Sequence, residues 1–206
     1  MHASFLKSRA ETRNAKVAAI ALAAAAFTTL VLSHVPVTLA PIRLLALAAA
    51  SFAAWAFCDE MGLGKPLNRA GFVFFAIAAV TKVQILLGVE AQFLARYYLL
   101  YAAFLLLAIL FWSAAFLHRQ RELKVVGAVG LLAALTPIAL IVAGHLVVGL
   151  GAVVGVGSLL EATKSGAPAD LGFVTVVERI FGLWGYGAAW LLWRGYIVDK
   201  PPVLSS

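Results

Sequence analysis

Residues Val125 to Leu160 read VVGAVGLLAALTPIALIVAGHLVVGLGAVVGVGSLL, 36 residues without one Asp, Glu, Lys or Arg. As a single straight α-helix this stretch would be about 54 Å long, against a hydrocarbon core of about 30 Å. Two crossings with a turn at Gly144-His145 fit that thickness and give spans of about 124–143 and 146–163. A single crossing, by a long tilted helix or a broken or re-entrant segment, is the alternative, because the turn itself is almost wholly apolar. Pro137 removes one rung of the helix ladder and is expected to kink the first of the two spans.

The rest of the chain has the same character. Of 206 residues, 64% are hydrophobic and 12% charged, and the mean hydropathy is +1.00. Soluble domains carry about 45–50% apolar and about 25% charged residues. Too few charges remain to cover a packed body of this size in water, and disorder requires the opposite composition. The expected fold is all-α: a polytopic transmembrane helix bundle of seven spans, or six in the alternative, over a single membrane domain 1–206 with no soluble domain.

Working outward, the charged stretches punctuate the apolar ones. Residues 1–16 hold Lys7, Arg9, Arg13 and Lys16 and form a basic leader. The first span is 17–34. A cleaved signal peptide ending at Leu39-Ala40 is disfavoured, because Pro41 would follow the cut directly. The second span is 40–58, with Pro41 suited to a first helical turn. DEMGLGKPLNRA at 59–70 reads as a loop. Spans of 71–88 and 97–117 follow, then HRQRELK at 118–124. KSGAPADLG at 164–172 separates the charge-free run from a last span at 173–196. Tyr97, Tyr98 and Tyr101 open the fourth span, and Trp190, Trp193 and Tyr196 close the last, as aromatic rings do at the headgroup level.

Orientation follows from Lys and Arg. With seven spans, ten fall on the side of the N-terminus and four (Arg43, Arg96, Arg194, Lys200) opposite. With six, the split is eleven against three (Arg43, Arg96, Lys164). Both place the N-terminus in the cytoplasm of a cell membrane, expected to be a bacterial inner membrane. The length argument prefers seven and the charge argument six. The +7 net charge is the excess of cytoplasmic loops attracted to anionic lipid; without a basic run interleaved with aromatics, nucleic acid is not an expected partner. The expected partners are the lipid bilayer and other membrane proteins or further copies of the chain, through small-residue faces such as Ala19/Ala23, Ala21/Ala25, Ala46/Ala50/Ala54 and the Gly149–Gly157 cluster.

Charged groups inside spans are candidate functional residues. Lys82 lies in the third span, toward its outer end, where its stem can carry the ammonium to the headgroups. In the seven-span frame Glu178 and Arg179 sit near the inner interface, about 100° apart on their helix, and read as anchors. Pairing Glu178 with Lys82 requires one of them to lie deeper than these boundaries place it. Glu161 ends the sixth span and is read as a capping or water-facing group. His34 and His145 fall at the outer ends of separate spans, the minimal arrangement for axial ligation of a haem b, although two histidines without a local motif more often simply wet their rings. Cys58 is alone and reads as a small buried hydrophobe.

No metal site is expected, and no cofactor beyond that haem alternative. The sequence has no HExxH, GxSxG, phosphate loop or Cys pair. The functional expectation is a non-catalytic membrane protein, either an accessory subunit of a membrane assembly or a small-solute transporter. The alternatives are a redox subunit binding haem or quinone, and an intramembrane enzyme acting on a lipid through Lys82, Glu178 or Glu161.

Overall fold

The computed structural model describes residues 15–27, 29–30, 40–61, 66–117, 121–146 and 172–194. Among these the chain forms six helices and no strand: α1 (Ala15–Phe27), α2 (Ala40–Met61), α3 (Pro66–Leu87), α4 (Ala91–Leu117), α5 (Arg121–Leu146) and α6 (Gly172–Arg194). Among the described residues, helices of 18 or more residues that are apolar enough to cross a membrane occur three times: Pro66–Leu87, Gln92–Leu117 and Glu122–Ala139. Large apolar side chains such as Leu45, Leu87, Leu132 and Leu183 point outward, each 67% to 74% exposed. So much outward apolar surface suits lipid better than water.

Several helices run past the expected spans into the charged stretches. Pro66 takes the first position of α3, where its missing N–H costs nothing, and Asp59 and Glu60 belong to α2. Of the loop expected over 59–70, residues 59–61 and 66–70 are thus helical, and 62–65 lie outside the described residues. Likewise α4 begins at Ala91, not at 97, and α5 at Arg121. A helix crosses the headgroup layer as well as the hydrocarbon, so charged residues extend its ends rather than stop it. At the other end of α5 the helix continues through Gly144 and His145 to Leu146, so the turn expected at these two residues is absent. Span 146–163, Glu161, the Gly149–Gly157 cluster and His34 lie outside the described residues.

Helix α4 is the central element, packed against α3, α5 and α6. Gly88, at φ 104°, ends α3 with its N–H on Gln84 O at 3.2 Å, a left-handed residue that only glycine adopts without strain. Gly88–Glu90 then turns the chain into α4. Small residues set the other contacts. A Cβ on Gly127 would meet Ser113 O at 2.7 Å, and one on Gly130 would meet Trp184 Cδ1 at 2.5 Å. Gly182 faces Leu30, Gly185 faces Ala26, and Gly187 faces Val126. Ala26 of α1 is buried against Gly185, the close backbone approach that holds helices together in lipid, and Ala15, Ala18, Ala19 and Ala25 of the same helix are buried too. Hydroxyls of Ser51, Thr81 and Thr136 donate to the carbonyl four residues back, at 2.7 to 2.8 Å, so they need no water.

These contacts fix the helix directions. Lys16 Nζ lies 5.4 Å from the Trp193 ring centroid, while Leu30 faces Gly182, so α1 and α6 are antiparallel. Gly130 against Trp184, and Val126 against Gly187, make α5 and α6 antiparallel too. The C-terminus of α5 and the N-terminus of α6 therefore lie at the same end of the bundle, the end of the Gly88–Glu90 turn. Lys16, Arg121 and Arg194 mark the opposite end.

Candidate functional site

At the Gly88–Glu90 end the helices bring together polar side chains from distant parts of the chain. Lys82 sits one and a half turns before the end of α3, and Glu178 just under two turns into α6. Because α3 arrives at this end while α6 departs from it, the two are level. Lys82 Nζ donates to Glu178 Oε1 at 2.6 Å, with the side chains 11% and 12% exposed. Tyr101 from α4 donates its hydroxyl to the same oxygen at 3.2 Å. The Tyr101 ring centroid lies 4.5 Å from Lys82 Nζ and that of Tyr98 5.7 Å, within cation–π range. Tyr98 and Tyr101 are three apart, so they share one face of α4.

An ion pair removed from water must recover its desolvation cost through close geometry and further hydrogen bonds. Here the carboxylate oxygen has two donors and the ammonium has one carboxylate and two ring faces. The snorkelling expected for Lys82 is therefore replaced by a pair inside the bundle. The seven-span frame puts the start of the last helix at the opposite end from Lys82, whereas the structure brings Glu178 level with it. Arg179, next in sequence, points away from the pair and is exposed. His145 lies in the last turn of α5, but its side chain, like His34 and Glu161, is outside the described residues. Among the described residues no group of three or more His, Cys, Asp or Glu could hold a metal ion.

Beside the pair lies a cavity of about 60 Å³. Its polar wall is Thr29, two residues past the end of α1, with Arg43 of α2, Lys82, Tyr101 and Glu178; its apolar wall includes Ala46, Ala50, Phe75, Ala78 and Phe181. Arg43, Tyr101 and Thr29 were not legible as site residues. Tyr98 and Tyr101 carry the composition of an interfacial belt, and Arg43 that of a loop charge. The available signal was the i, i+3 spacing of two tyrosines on the helix that directly follows the one carrying Lys82.

The cavity ends on an aromatic floor. Phe75 packs on Trp112 at 5.6 Å and on Phe181 at 5.9 Å, and Trp112 stacks on Trp184 at 5.6 Å with planes 6° apart. Beneath Phe75 and Phe181 lies a pocket of about 10 Å³, walled by Leu22, Ala53, Ala54, Trp112 and Trp184 among others. A space of that size and lining holds at most one water and has little to bind it. The Phe75 and Phe181 rings line both spaces and stand between the polar cavity and this smaller pocket.

Two of the ionisable groups required for an acid–base mechanism do converge, at 2.6 Å. They satisfy each other, however, and no nucleophile with an adjacent base accompanies them among the described residues. Comparison of the chain with protein-family models, with curated proteins and with solved structures finds no match.

Proposed function

We propose that this chain is a multi-pass protein of the cell membrane, with six crossings and its N-terminus in the cytoplasm, that binds a small solute in the cavity beside Lys82 and Glu178. The observation that carries this reading is a cavity inside the bundle with Arg43, Lys82, Glu178 and Tyr101 on its polar wall and the Phe75 and Phe181 rings on its apolar wall. A charged cavity between helices is what a small-solute transporter requires, and an accessory subunit has no need of it. Six crossings are favoured over seven because α5 ends and α6 begins at the same end of the bundle. The eleven-to-three distribution of Lys and Arg then applies, which puts the cavity in the outer half of the membrane.

A second reading, acid–base chemistry on a lipid, draws on the convergence of Lys82 with Glu178. It is weaker, because an ion pair offers neither a free base nor a free acid at the cavity wall.

Cysteine accessibility tests the proposal. In a Cys58→Ser background, Ala46→Cys in the cavity is expected to react with a membrane-impermeant maleimide added to intact cells. Ala53→Cys, below the aromatic floor, is expected to stay unlabelled. An Ala46→Cys that reacts only after detergent is added would overturn the outward-open cavity.

A further inference from the structure

We infer that the outward face of α6 holds an anionic phospholipid, its phosphate between Lys16 and Arg194 and an acyl chain along the apolar stripe below them. This rests on the chain's spanning a membrane and not on the solute cavity.

The stripe is the first argument. Leu183, Tyr186, Trp190 and Trp193 follow one another at spacings of three, four and three, so they share one face of α6. All four are exposed, from 38% at Tyr186 to 67% at Leu183. The flanking faces of the same helix are occupied: Gly182 and Gly185 meet α1, while Trp184 and Gly187 meet α5. The stripe therefore lies between α1 and α5 and is turned to the hydrocarbon.

Charge is the second. The stripe ends beside Arg194, in the last turn of α6. From α1, Lys16 reaches over it, with Nζ 5.4 Å from the Trp193 ring centroid. Lys16, Ile20 and Phe27 are exposed on α1 at spacings of four and seven, so this flank also carries its cation at one end and apolar groups below. Both cations are exposed, and among the described residues neither pairs with a carboxylate. Glu122 of the α5 flank sits in the first turn of its own helix, where the helix dipole favours an acid.

Head and tail together select the ligand class. A soluble anion gains only two exposed charges, which salt screens. Phosphatidylcholine covers the stripe but brings an ammonium of its own to the cations. A phospholipid with an anionic head satisfies both parts, and each cation at the membrane surface contributes about fivefold in affinity. The Trp193 indole then lies at the junction of head and chain, the depth that tryptophan prefers. With six crossings this end is cytoplasmic, so the lipid belongs to the inner leaflet.

The test uses the full chain reconstituted into phosphatidylcholine vesicles that carry a small fraction of phosphatidylglycerol or phosphatidylcholine with brominated acyl chains. Bromine quenches an indole only near contact, and the quenching lost in Trp193→Phe is that of Trp193. This part is expected to favour the anionic lipid by on the order of twentyfold, fivefold for each cation. Lys16→Gln and Arg194→Gln are each expected to lower the preference about fivefold, and Lys16→Arg to keep it. Lys124 is exposed at the same end, but it lies two residues before Val126, which faces α6, and so projects from the far side of α5. Lys124→Gln is expected to change nothing. Equal quenching by the two lipids, no quenching of Trp193 by either, or a Lys124→Gln effect as large as that of Lys16→Gln overturns the site. A chain that incorporates without a lipid preference removes the lipid and leaves the topology and the cavity standing. A chain that stays out of the vesicles overturns the membrane reading and this site with it.

Discussion

Lys82 Nζ and Glu178 Oε1 lie 2.6 Å apart across 96 residues of sequence. The pair joins α3 to α6 at one end of the bundle and forms one wall of its polar cavity. Its consequences for stability can be separated from its consequences for binding.

Breaking the pair on one side leaves a charge in a poorly hydrated wall. Lys82→Met is expected to cost about 3 kcal/mol, the low end for a buried pair, since both side chains keep slight exposure. The double variant Lys82→Met/Glu178→Leu is expected to recover most of that loss, because no uncompensated charge remains. Unfolding in mixed detergent micelles measures both. A double variant as unstable as the sum of the two singles contradicts the coupling.

Tyr101 acts on the pair in two ways. Tyr101→Phe removes only the 3.2 Å hydrogen bond to Glu178, and about 1 kcal/mol is expected to be lost. Tyr101→Leu also removes the ring 4.5 Å from the ammonium, for about a further 1 kcal/mol. Equal effects from the two variants on the same melting curves would show that the ring face contributes nothing.

Replacing Lys82 by alanine leaves an acid facing two tyrosine rings with no cation between them. Methylammonium supplies the missing group. At tens of millimolar it is expected to raise the unfolding midpoint of Lys82→Ala and to leave the parent unchanged. The comparison is made against sodium chloride at equal ionic strength, and identical responses refute the cage.

The glycines of the helix interfaces differ in what they tolerate. A Cβ on Gly130 would collide with Ser113 Oγ and lie 2.5 Å from Trp184 Cδ1, so Gly130→Ala is expected to destabilise by about 1–3 kcal/mol. At Gly185 the nearest atom is Ala26 Cβ at 3.3 Å. There the gain of about 1 kcal/mol in helix propensity offsets the crowding, and Gly185→Ala is expected to be near neutral. Parallel thermal melts rank the two, and the reverse order contradicts the packing described.

Six crossings place the end of α6 on the same side as the start of α1. A fluorescent protein fused after Ser206 is expected to fluoresce, and alkaline phosphatase fused there to be inactive, as both report a cytoplasmic C-terminus. The opposite pair of results restores seven crossings.

Much of the architecture was legible in the residue order. Lys82 and Glu178 stood out as charges within apolar helices, and the apolar runs of α3, α4 and α5 were readable from length. Where expectation and structure part, the reason is physical. The helices continue through Asp59, Asn68 and Gln92 because a polar side chain leaves the backbone ladder intact and does not by itself end a helix. Gly144-His145 is helical because glycine lowers helix stability only slightly, and nothing in its apolar neighbours offers a competing turn.

What the residue order determined by itself is the solvent and the building unit. Hydrophobic length, measured against a fixed hydrocarbon thickness, is a local property, so lipid surroundings and helices of spanning size follow from composition alone. What the tertiary structure decided is which charges meet. That depends on whether the chain enters α6 from one side or the other, a parity to which every turn contributes. A parity cannot be read from any single segment, and only the packing of Leu30 on Gly182, Trp184 on Gly130 and Lys16 on Trp193 sets Glu178 level with Lys82.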